Sequence, residues 1–349
     1  MALEFRSVID QMLGVPDRPA RAVVPPIRLS QNEMPWSPTD VIVEAMIEAV
    51  RSSHRYPDYH RTAARTAVAA AFGVDAGRVA IDNGSGSLLH GTARLVCETG
   101  VEGVYCSPSF EAYAAALGLA GAKGIAVGLA ESGAMDMPAM LAAIGPATRI
   151  VYLCNPNNPT GGLVPVDEIR AFLRDVPSRV LVVLDEAYRE FVTSEPVDAT
   201  TALLDEFDNL VILRTLSKSH GLAGIRAGYA LAAPRVAEAL RRSSVGFALN
   251  SVAEAAVISA FGAEAQAVAA ERIATVVAER ERMIAALRDR GVSFLPSQSN
   301  FLFVHGDAAE LLDRFEAHGV LARPFPHAGG VRVTVGLPRE NDATLAALR

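Results

Sequence analysis

Residues 214–226 read RTLSKSHGLAGIR, and Lys218 in this stretch is the most informative residue of the chain. It follows an apolar run that is typical of a buried strand. Because a lysine forms an imine only as the free amine, its pKa must be lowered by nearby cations or by loss of water. The hydroxyls of Thr215 and Ser217 and the guanidinium of Arg226 are suited to binding a phosphate. The stretch favours a site for an aldehyde cofactor that carries a phosphate over a solvated loop.

Residues 180–188 read VLVVLDEAY, an aliphatic run that is typical of a strand buried on both faces. Asp185 stands at the end of this run, where the ligand sites of open α/β sheets lie. A buried carboxylate needs a partner, and the nitrogen of a pyridine ring would provide one. Tyr188 follows closely enough to donate a hydrogen bond to such a ring. Taken alone, Asp185 is also typical of a helix N-cap.

Residues 149–162 read RIVYLCNPNNPTGG, a second apolar run followed by a loop rich in proline and glycine. Proline fixes the backbone φ angle and glycine closes turns, so this loop would hold Asn158 in one orientation. An asparagine held in this way can donate to a ring oxygen of the ligand. Such turns are common, but this one and Asp185 both follow apolar strands, which favours a shared site.

The segments NPNNPTG, DEAY and RTLSKSHGLAGIRAGY together resemble those of the fold type I pyridoxal-phosphate aminotransferases. The likeness is to the branch of histidinol-phosphate and aromatic amino acid aminotransferases, and it extends from about Leu29 to Gly336. The resemblance implies an α/β fold in which a mostly parallel seven-stranded sheet is covered by helices and joined to a smaller α+β domain. It also implies transfer of an amino group from an amino acid to a 2-oxo acid such as 2-oxoglutarate.

The resemblance assigns roles to the residues at matching positions. Lys218 would bind the aldehyde of pyridoxal 5'-phosphate and act as the general base, and Asp185 would pair with the ring nitrogen. Asn158 and Tyr188 would contact the ring oxygen. The implied phosphate ligands in the lysine segment are Thr215, Ser217 and Arg226.

Residues 82–87 read DNGSGS and fall where relatives bind the phosphate at a helix N-terminus, a position that favours anions. The residues expected there are Ser85, Gly86 and Ser87, although many relatives carry an acidic pair at the last two positions. Phe110 matches the aromatic residue that stacks on the cofactor ring. Tyr56, in the segment HRYPD, matches a tyrosine that reaches the cofactor phosphate of a neighbouring subunit, which implies a homodimer.

Arg332 lies in the alternating run VRVTVG and matches the family's arginine for the substrate carboxylate. A guanidinium suits this task because it binds a carboxylate through two parallel hydrogen bonds. Arg323 matches a second arginine near the substrate pocket, and Asn32 falls in a segment near the mouth of the site. On the residues alone, either arginine could be an ordinary surface residue of a strand.

The identity of the amino donor depends on two positions. Histidinol-phosphate enzymes share a Tyr-Asn-hydrophobic-Asn run, whereas this chain has Phe247 at the tyrosine position. A second family tyrosine, near the N-terminus, falls on Gly14. Loss of two hydroxyl donors would weaken binding of a buried phosphate by roughly 1–3 kcal/mol each. We therefore expect an aromatic or similarly bulky donor, with histidinol phosphate as the alternative.

Three other functions fit parts of the pattern. A decarboxylase of the same fold would share Lys218 and Asp185 but release carbon dioxide. A nucleotide-binding function would use Gly84 and Gly86, but Leu89 stands where the third glycine of the usual motif belongs. A noncatalytic sensor would bind pyridoxal phosphate without turning over an amino acid.

Composition limits the class of protein. The chain has 349 residues, of which half are apolar, and no apolar stretch long enough to span a bilayer, so we expect no membrane association. Its start lacks the pattern of a secretory signal, and three scattered cysteines suit a reducing cytoplasm. The histidines form no close metal-ligand pair, so no metal is expected. A formal charge of −7 argues against a nucleic-acid partner.

Apolar strands alternate with alanine-rich helical stretches from about residue 45 to 235, which predicts a parallel sheet covered by helices. We expect an N-terminal arm or part of the small domain over residues 1–44, a large cofactor-binding domain over 45–240 and a small domain over 241–349. The pattern also predicts a long helix at 265–290 that ends at Gly291, and strands at 301–304, 320–323 and 331–335. The apolar face predicted for this helix comprises Ile273, Val276, Val277, Ile284 and Leu287.

Overall fold

The computed structural model describes residues 8–9 and 26–349. Of the predicted arm, residues 8–9 and 26–44 are therefore described, whereas Gly14 lies outside the described residues. The strands are β1 Ile27–Arg28, β2 Val79–Asp82, β3 Glu102–Cys106, β4 Lys123–Val127, β5 Thr148–Cys154, β6 Leu181–Asp185, β7 Leu210–Thr215, β8 Gly228–Ala232, β9 Phe294–Leu295, β10 Phe301–His305, β11 Val320–Leu321, β12 Arg323–Phe325 and β13 Gly330–Thr334.

The helices connect and cover these strands. Their bounds are α1 Asp40–Arg51, α2 Thr62–Phe72, α3 Gly84–Val96, α4 Ala112–Leu119, α5 Met137–Ala142, α6 Val166–Asp175, α7 Pro234–Ser243, α8 Ser251–Ala260, α9 Ala263–Asp289, α10 Ala308–Ala317 and α11 Pro338–Ala347. Short 3-10 turns occur at Ala76–Arg78, Arg189–Phe191, Thr201–Asp205 and Pro326–Ala328.

Seven strands form the large sheet, in the order β2-β8-β7-β6-β5-β3-β4. Strand β8 runs antiparallel to β2 and β7, and the other neighbouring strands are parallel. The predicted α/β fold with a mostly parallel seven-stranded sheet is confirmed. Because parallel strands point the same way, β5, β6 and β7 end at one edge of the sheet, where ligands bind in folds of this type.

Strand β6 illustrates why the central strands read as unbroken apolar runs. All five of its residues are buried. Val182 and Leu184 pack into one hydrophobic cluster, while Leu181 and Val183 pack into another on the opposite face. Since helices cover both faces of the sheet, neither face of the strand tolerates polar residues until Asp185 at its end.

Helix α6, which connects β5 to β6, is specified by its own sequence. Ile169, Phe172 and Leu173 form its buried face. Asp167 lies in the first turn and Arg174 in the last, an arrangement that complements the helix dipole. The helix therefore packs its apolar stripe on the sheet and returns the chain to start β6 beside β5.

The C-terminal part contains a second, four-stranded antiparallel sheet in the order β12-β13-β10-β9. The predicted strand at 320–323 is divided at Ala322 in the structure. Residues Val320–Leu321 pair with β1, whereas Arg323–Phe325 pair with β13. A change of partner within four residues is set by the tertiary packing, so periodicity could not indicate it.

The predicted long helix is present as α9. Three of its predicted apolar residues, Val276, Ile284 and Leu287, are buried with the second sheet. The helix ends before Gly291, whose φ of 65° lies in the left-handed region that glycine adopts without strain. Helix α9 thus provides the backing of the second sheet.

Helix α8 and the first turn of α9 pack with the large sheet rather than with the second one. Ala253, Val257 and Ala265 belong to the cluster that covers the large sheet, and α8 lies against α1. The boundary predicted at residue 240 falls before these residues. We propose that the large domain extends to the start of α9.

The helices of the described residues differ in length and in apolar content. None of them alone is long and apolar enough to cross a bilayer. By length and composition only, the pair Ser251–Ala260 and Ala263–Asp289 would qualify, and it is bent by 76°.

Candidate active site

A cavity of about 360 Å³ opens at the edge where β5, β6 and β7 end. These strands deliver Cys154, Asp185 and Thr215 to its floor. The predicted site residues that line the cavity are Asn32, Ser85, Gly86, Phe110, Asn158, Asp185, Tyr188, Thr215, Ser217, Lys218, Arg226, Arg323 and Arg332. Segments that are far apart in sequence, including all three motifs, therefore converge on one cavity.

Lys218 is partly buried in this cavity, and its Nζ donates to the carbonyl oxygen of Gln31 at 2.8 Å. Loss of water lowers the pKa of Lys218 to about 8, and the positive charges of Arg332 and Arg226 act in the same direction. A lowered pKa makes the free amine accessible near neutral pH, which is the requirement for a lysine nucleophile.

Asp185 is buried, and burial raises the pKa of its carboxyl group to about 6. Its Oδ2 accepts a hydrogen bond from the hydroxyl of Tyr113 at 2.9 Å. Its Oδ1 accepts a longer one, 3.3 Å, from the backbone N–H of Ala187. Among the described residues no cationic side chain forms an ion pair with Asp185, so the carboxylate has room for a cationic ligand group.

Two hydrogen-bonded pairs connect the loops around the cavity. The side-chain amide of Asn32 donates to the hydroxyl of Tyr188 at 2.9 Å. Asn158 accepts from a terminal nitrogen of Arg332 through its side-chain oxygen. Each pair joins a predicted ring-oxygen ligand to a predicted substrate residue.

The N-terminus of α3 and the guanidinium of Arg226 lie close together, in an arrangement suited to an anion. A Cβ at Gly84 would lie 2.5 Å from Nη2 of Arg226, so only glycine permits this approach of the guanidinium to the helix. Nη1 of Arg226 donates to Oγ of Ser217 at 3.2 Å and to the carbonyl of Ala223 at 2.8 Å. The unpaired N–H groups of the helix terminus and a fixed guanidinium are the groups that bind phosphate.

Arg332 is buried, and loss of water lowers its pKa to about 10. It donates to the carbonyl of Ser30 at 2.7 Å as well as to Asn158. Its Nε is buried without a hydrogen-bond partner among the described residues. A buried guanidinium with a free donor, and with no ion pair to any carboxylate of the described residues, is suited to binding the carboxylate of a ligand.

Arg323 lies at the cavity wall and is already paired. It donates to the carboxylate of Glu111 at 2.6 Å, and its guanidinium lies 5.4 Å from the ring centre of Phe325. Phe110 faces the same space, with 38% of its surface exposed. This end of the cavity therefore combines a neutralised ion pair with two aromatic rings.

Three predicted site residues do not line the cavity of this chain. Ser87 lies further along α3 than Ser85 and Gly86, which do. Tyr56 is 81% exposed, and its ring packs on that of Phe247 at 4.5 Å between centres. Tyr56 and Phe247 thus form an exposed aromatic cluster on the surface.

Tyr113 and Glu111 are among the residues at the site that were not predicted from the sequence. Tyr113 lies in the alanine-rich helix α4, and nothing in that pattern indicates which strand end the helix covers. Glu111 follows the matched Phe110 directly, so the position of Phe110 was the available signal for it. Both contacts depend on how the helix after β3 packs, which is a property of the tertiary structure.

The residues present fit a flat aldehyde that carries a phosphate and a basic ring nitrogen. Lys218 supplies an amine with a lowered pKa, and Asp185 a buried carboxylate that lacks a cation. Arg226 and the start of α3 supply an anion site at one end of the cavity. No group of three or more potential metal ligands occurs in the described part of the chain.

Comparison with known proteins gives a consistent picture. The family model described as aminotransferase class I and II matches residues 24–348. The aromatic amino acid aminotransferase of Thermobifida fusca is 41% identical over 352 residues, which cover 99% of this chain and 96% of that protein. The enzyme of the same name from Corynebacterium jeikeium is 42% identical and covers 92% of this chain and 87% of that protein.

Solved structures show the same architecture. The histidinol-phosphate aminotransferase from Sinorhizobium meliloti, in complex with pyridoxal-5'-phosphate, superposes with a TM-score of 0.86 at 28% identity. The alignment covers 99% of this chain and 94% of that one. The expected similarity to histidinol-phosphate and aromatic aminotransferases is confirmed.

Proposed function

The chain belongs to the class I and II aminotransferases, and we propose that it transfers the amino group of an aromatic or similarly bulky amino acid to a 2-oxo acid such as 2-oxoglutarate. It is a pyridoxal 5'-phosphate-dependent transaminase. The single observation that carries the proposal is the convergence of Lys218, Asp185 and Arg332 on one cavity of about 360 Å³.

Bound pyridoxal phosphate supplies an aldehyde that condenses with amines and a ring that accepts electrons from the substrate's α-carbon. The residues around it have separate tasks in the proposal. Lys218 holds the cofactor and, once released, its Nζ removes the proton from the α-carbon. Asp185 keeps the ring nitrogen protonated. Arg332 fixes the donor's carboxylate through the N–H groups of its guanidinium.

The remaining predicted contacts complete the cofactor site in the proposal. Asn158 and Tyr188 contact the ring oxygen, and Phe110 covers the ring. The phosphate is held by Arg226, by the hydroxyls of Thr215 and Ser217, and by the first turn of α3 with Ser85 and Gly86. Ser87, which does not line the cavity, follows in the same turn.

The preference for an aromatic donor is supported by the far end of the cavity. Arg323 is neutralised by Glu111, so it offers no free positive charge to a phosphate on the substrate side chain. Phe110 and Phe325 provide apolar surface at the same end. The relatives named aromatic amino acid aminotransferase, at 41% and 42% identity, support the same preference.

A donor panel tests the substrate. The full chain with pyridoxal phosphate and 2-oxoglutarate is given phenylalanine, tyrosine or histidinol phosphate, and kcat/KM is measured for each donor. We expect the aromatic donors to exceed histidinol phosphate by at least about tenfold, since a missing hydroxyl donor to a phosphate is worth about 1–3 kcal/mol. A higher kcat/KM for histidinol phosphate would contradict the proposed substrate.

The variant Phe247→Tyr sharpens the same test in a homodimer, where Phe247, packed on Tyr56, would face the cavity of the partner subunit. A tyrosine there would restore one of the missing hydroxyls. It should raise kcat/KM for histidinol phosphate by about five- to thirtyfold and leave phenylalanine nearly unchanged. An equal change for both donors would show that Phe247 does not discriminate between them.

A homodimer in the cytoplasm is part of the proposal. Tyr56 and Tyr59 expose most of their surface, and both rings contact Phe247, at 4.5 and 5.3 Å between centres. Large exposed aromatic groups of this kind mark interaction sites, and a second copy of the chain would cover them. In the dimer, Tyr56 would reach the phosphate in the partner subunit. Sedimentation of Tyr56→Asp should show more monomer than the wild type, and an unchanged dimer would contradict this interface.

A further inference from the structure

Tyr113 occupies a position next to Asp185 that no motif of the chain assigns. It lies in α4 and is completely buried. Its hydroxyl donates to Oδ2 of Asp185 at 2.9 Å, while the other carboxylate oxygen accepts only the longer bond from Ala187. The phenol is therefore the closer of the two donors that orient this carboxylate.

The ring of Tyr113 is held on two sides. It stacks on Tyr152 with 4.9 Å between centres and 14° between planes. Phe110 meets it edge to face at 5.7 Å and 90°. A buried ring clamped by two aromatic neighbours has little rotational freedom, so its hydroxyl stays aimed at Asp185.

The hydrogen bond opposes the effect of burial. Loss of water raises the pKa of Asp185, and the Tyr113 hydroxyl is the largest of the contributions that lower it. A donor to a carboxylate stabilises the charged form, which is the form that can pair with a protonated ring nitrogen. Removal of the hydroxyl would raise the pKa of Asp185 further, so this buried carboxyl group would stay protonated up to a higher pH.

We infer that Tyr113 is a positioning residue that fixes the Asp185 carboxylate for the ring nitrogen of the cofactor. The inference rests on the proposed role of Asp185. Tyr113 touches the carboxylate and acts on the reaction through it, whereas its neighbour Phe110 covers the ring. Its role is therefore to set the fraction of enzyme that can hold the cofactor tightly at a given pH.

Tyr152 offers a matched control. It is buried in the same stack, but its hydroxyl lies 3.3 Å from the Thr92 hydroxyl and donates to the carbonyl of Leu89 instead of to Asp185. Tyr152→Phe thus removes the same atom from the same aromatic pair. A general effect of losing a buried hydroxyl should appear in both Tyr113→Phe and Tyr152→Phe. An effect that acts through Asp185 should appear only in Tyr113→Phe.

The test measures the dissociation constant of pyridoxal phosphate by equilibrium dialysis of the full chain from pH 5 to 9. Asp185 must be ionised to pair with the ring nitrogen, so affinity is lost as the pH falls through the pKa of Asp185 in the free protein, about 6 in the wild type. Protonation of Lys218, whose pKa is about 8, weakens binding equally in the wild type and the variants, so it cancels in the comparison. In Tyr113→Phe this midpoint should rise by about one to two pH units. Above both midpoints the affinities should agree within about threefold, which also shows that the variant is folded.

Tyr152→Phe should follow the wild-type curve. Two results would overturn the inference while leaving the proposed function intact. One is that Tyr113→Phe binds pyridoxal phosphate more weakly by the same factor at every pH, and the other is that the pH midpoint shifts equally in Tyr152→Phe. Failure of the wild type to bind pyridoxal phosphate at any pH would overturn the proposed function, and the inference with it.

Discussion

Asp185 and Glu186 are neighbours in the chain, yet their carboxylates have opposite surroundings. Glu186 is completely buried and accepts from Nε and Nη2 of Arg214 at 2.9 and 2.7 Å. The hydroxyl of Thr200 donates to both of its oxygens, at 2.9 and 3.0 Å. Arg189 adds a third group, with its Nε 3.8 Å from Glu186. The Glu186 carboxylate therefore has its hydrogen-bond donors and its counter-charge within the chain.

Asp185, on the cavity side, has one phenol, one long backbone contact and no cation from the described residues. Burial, only partly offset by the hydrogen bonds from Tyr113 and Ala187, raises its pKa to about 6. The difference between the two neighbours indicates that one carboxylate has a structural role and the other a role in binding. A fully paired buried charge maintains the fold, while an incompletely paired one stays available for a ligand.

The largest expected effect concerns the paired carboxylate. Glu186→Gln leaves the Arg214 guanidinium buried without its counter-charge, and we expect a loss of about 3–5 kcal/mol in the free energy of unfolding. Urea denaturation of the cofactor-free protein measures it. A loss below about 1 kcal/mol would contradict the structural role of Glu186.

Asp185→Asn is the matched control for that measurement. Since Asp185 lacks a cationic partner, its free energy of unfolding should change by about 1 kcal/mol or less, while cofactor affinity should fall. Equal destabilisation by the two variants would remove the distinction between the neighbours.

Arg332 and Arg323 extend the comparison to the substrate end. Arg332 has a buried, unpaired Nε, whereas Arg323 is paired with Glu111. Arg332→Lys should raise KM for the amino donor roughly 10- to 100-fold, equivalent to about 1.5–3 kcal/mol, because a lysine cannot form two parallel bonds. Arg323→Lys should change KM by about threefold or less. Steady-state kinetics with both variants checks this, and the reverse ranking would exchange their proposed roles.

The smallest effect is on the pH dependence of cofactor addition. The pKa of Lys218 is lowered to about 8, so the free amine is lost as the pH falls below 8 and the rate should drop about tenfold per pH unit there. Stopped-flow mixing of cofactor-free protein with pyridoxal phosphate measures the profile. A midpoint near 10 would show that Lys218 is not desolvated as the structure indicates.

The sequence predicted those parts of the molecule that depend on local pattern. Apolar runs before Asp185 and Asn158 indicated the parallel sheet. The resemblance of the motifs, including the one at Lys218, to those of known aminotransferases supplied its seven strands and most of the cavity residues. The split of residues 320–325 between two sheets depends on partners elsewhere in the chain, so no local pattern contains it.

Tyr113 and Glu186 show that local sequence also fails to predict some of the contacts around the site. A tyrosine in an alanine-rich helix carries no sign of the carboxylate it will meet, because that contact depends on how α4 packs over the sheet. Nor does the pair Asp-Glu show which carboxylate faces the cavity and which faces Arg214. Successive side chains along a strand point to opposite faces of the sheet, so the two carboxylates must point in opposite directions. Which of the two directions is functional depends on where the ligand lies.

The central claim is that Lys218 is the residue that holds the cofactor. The direct measurement is borohydride reduction of the enzyme with pyridoxal phosphate, followed by digestion and mass spectrometry of the peptides. We predict a stable pyridoxyl group on the Nζ of Lys218 and its loss in Lys218→Ala. A reduced adduct on another lysine, or none on the peptide that contains residue 218, would contradict the account.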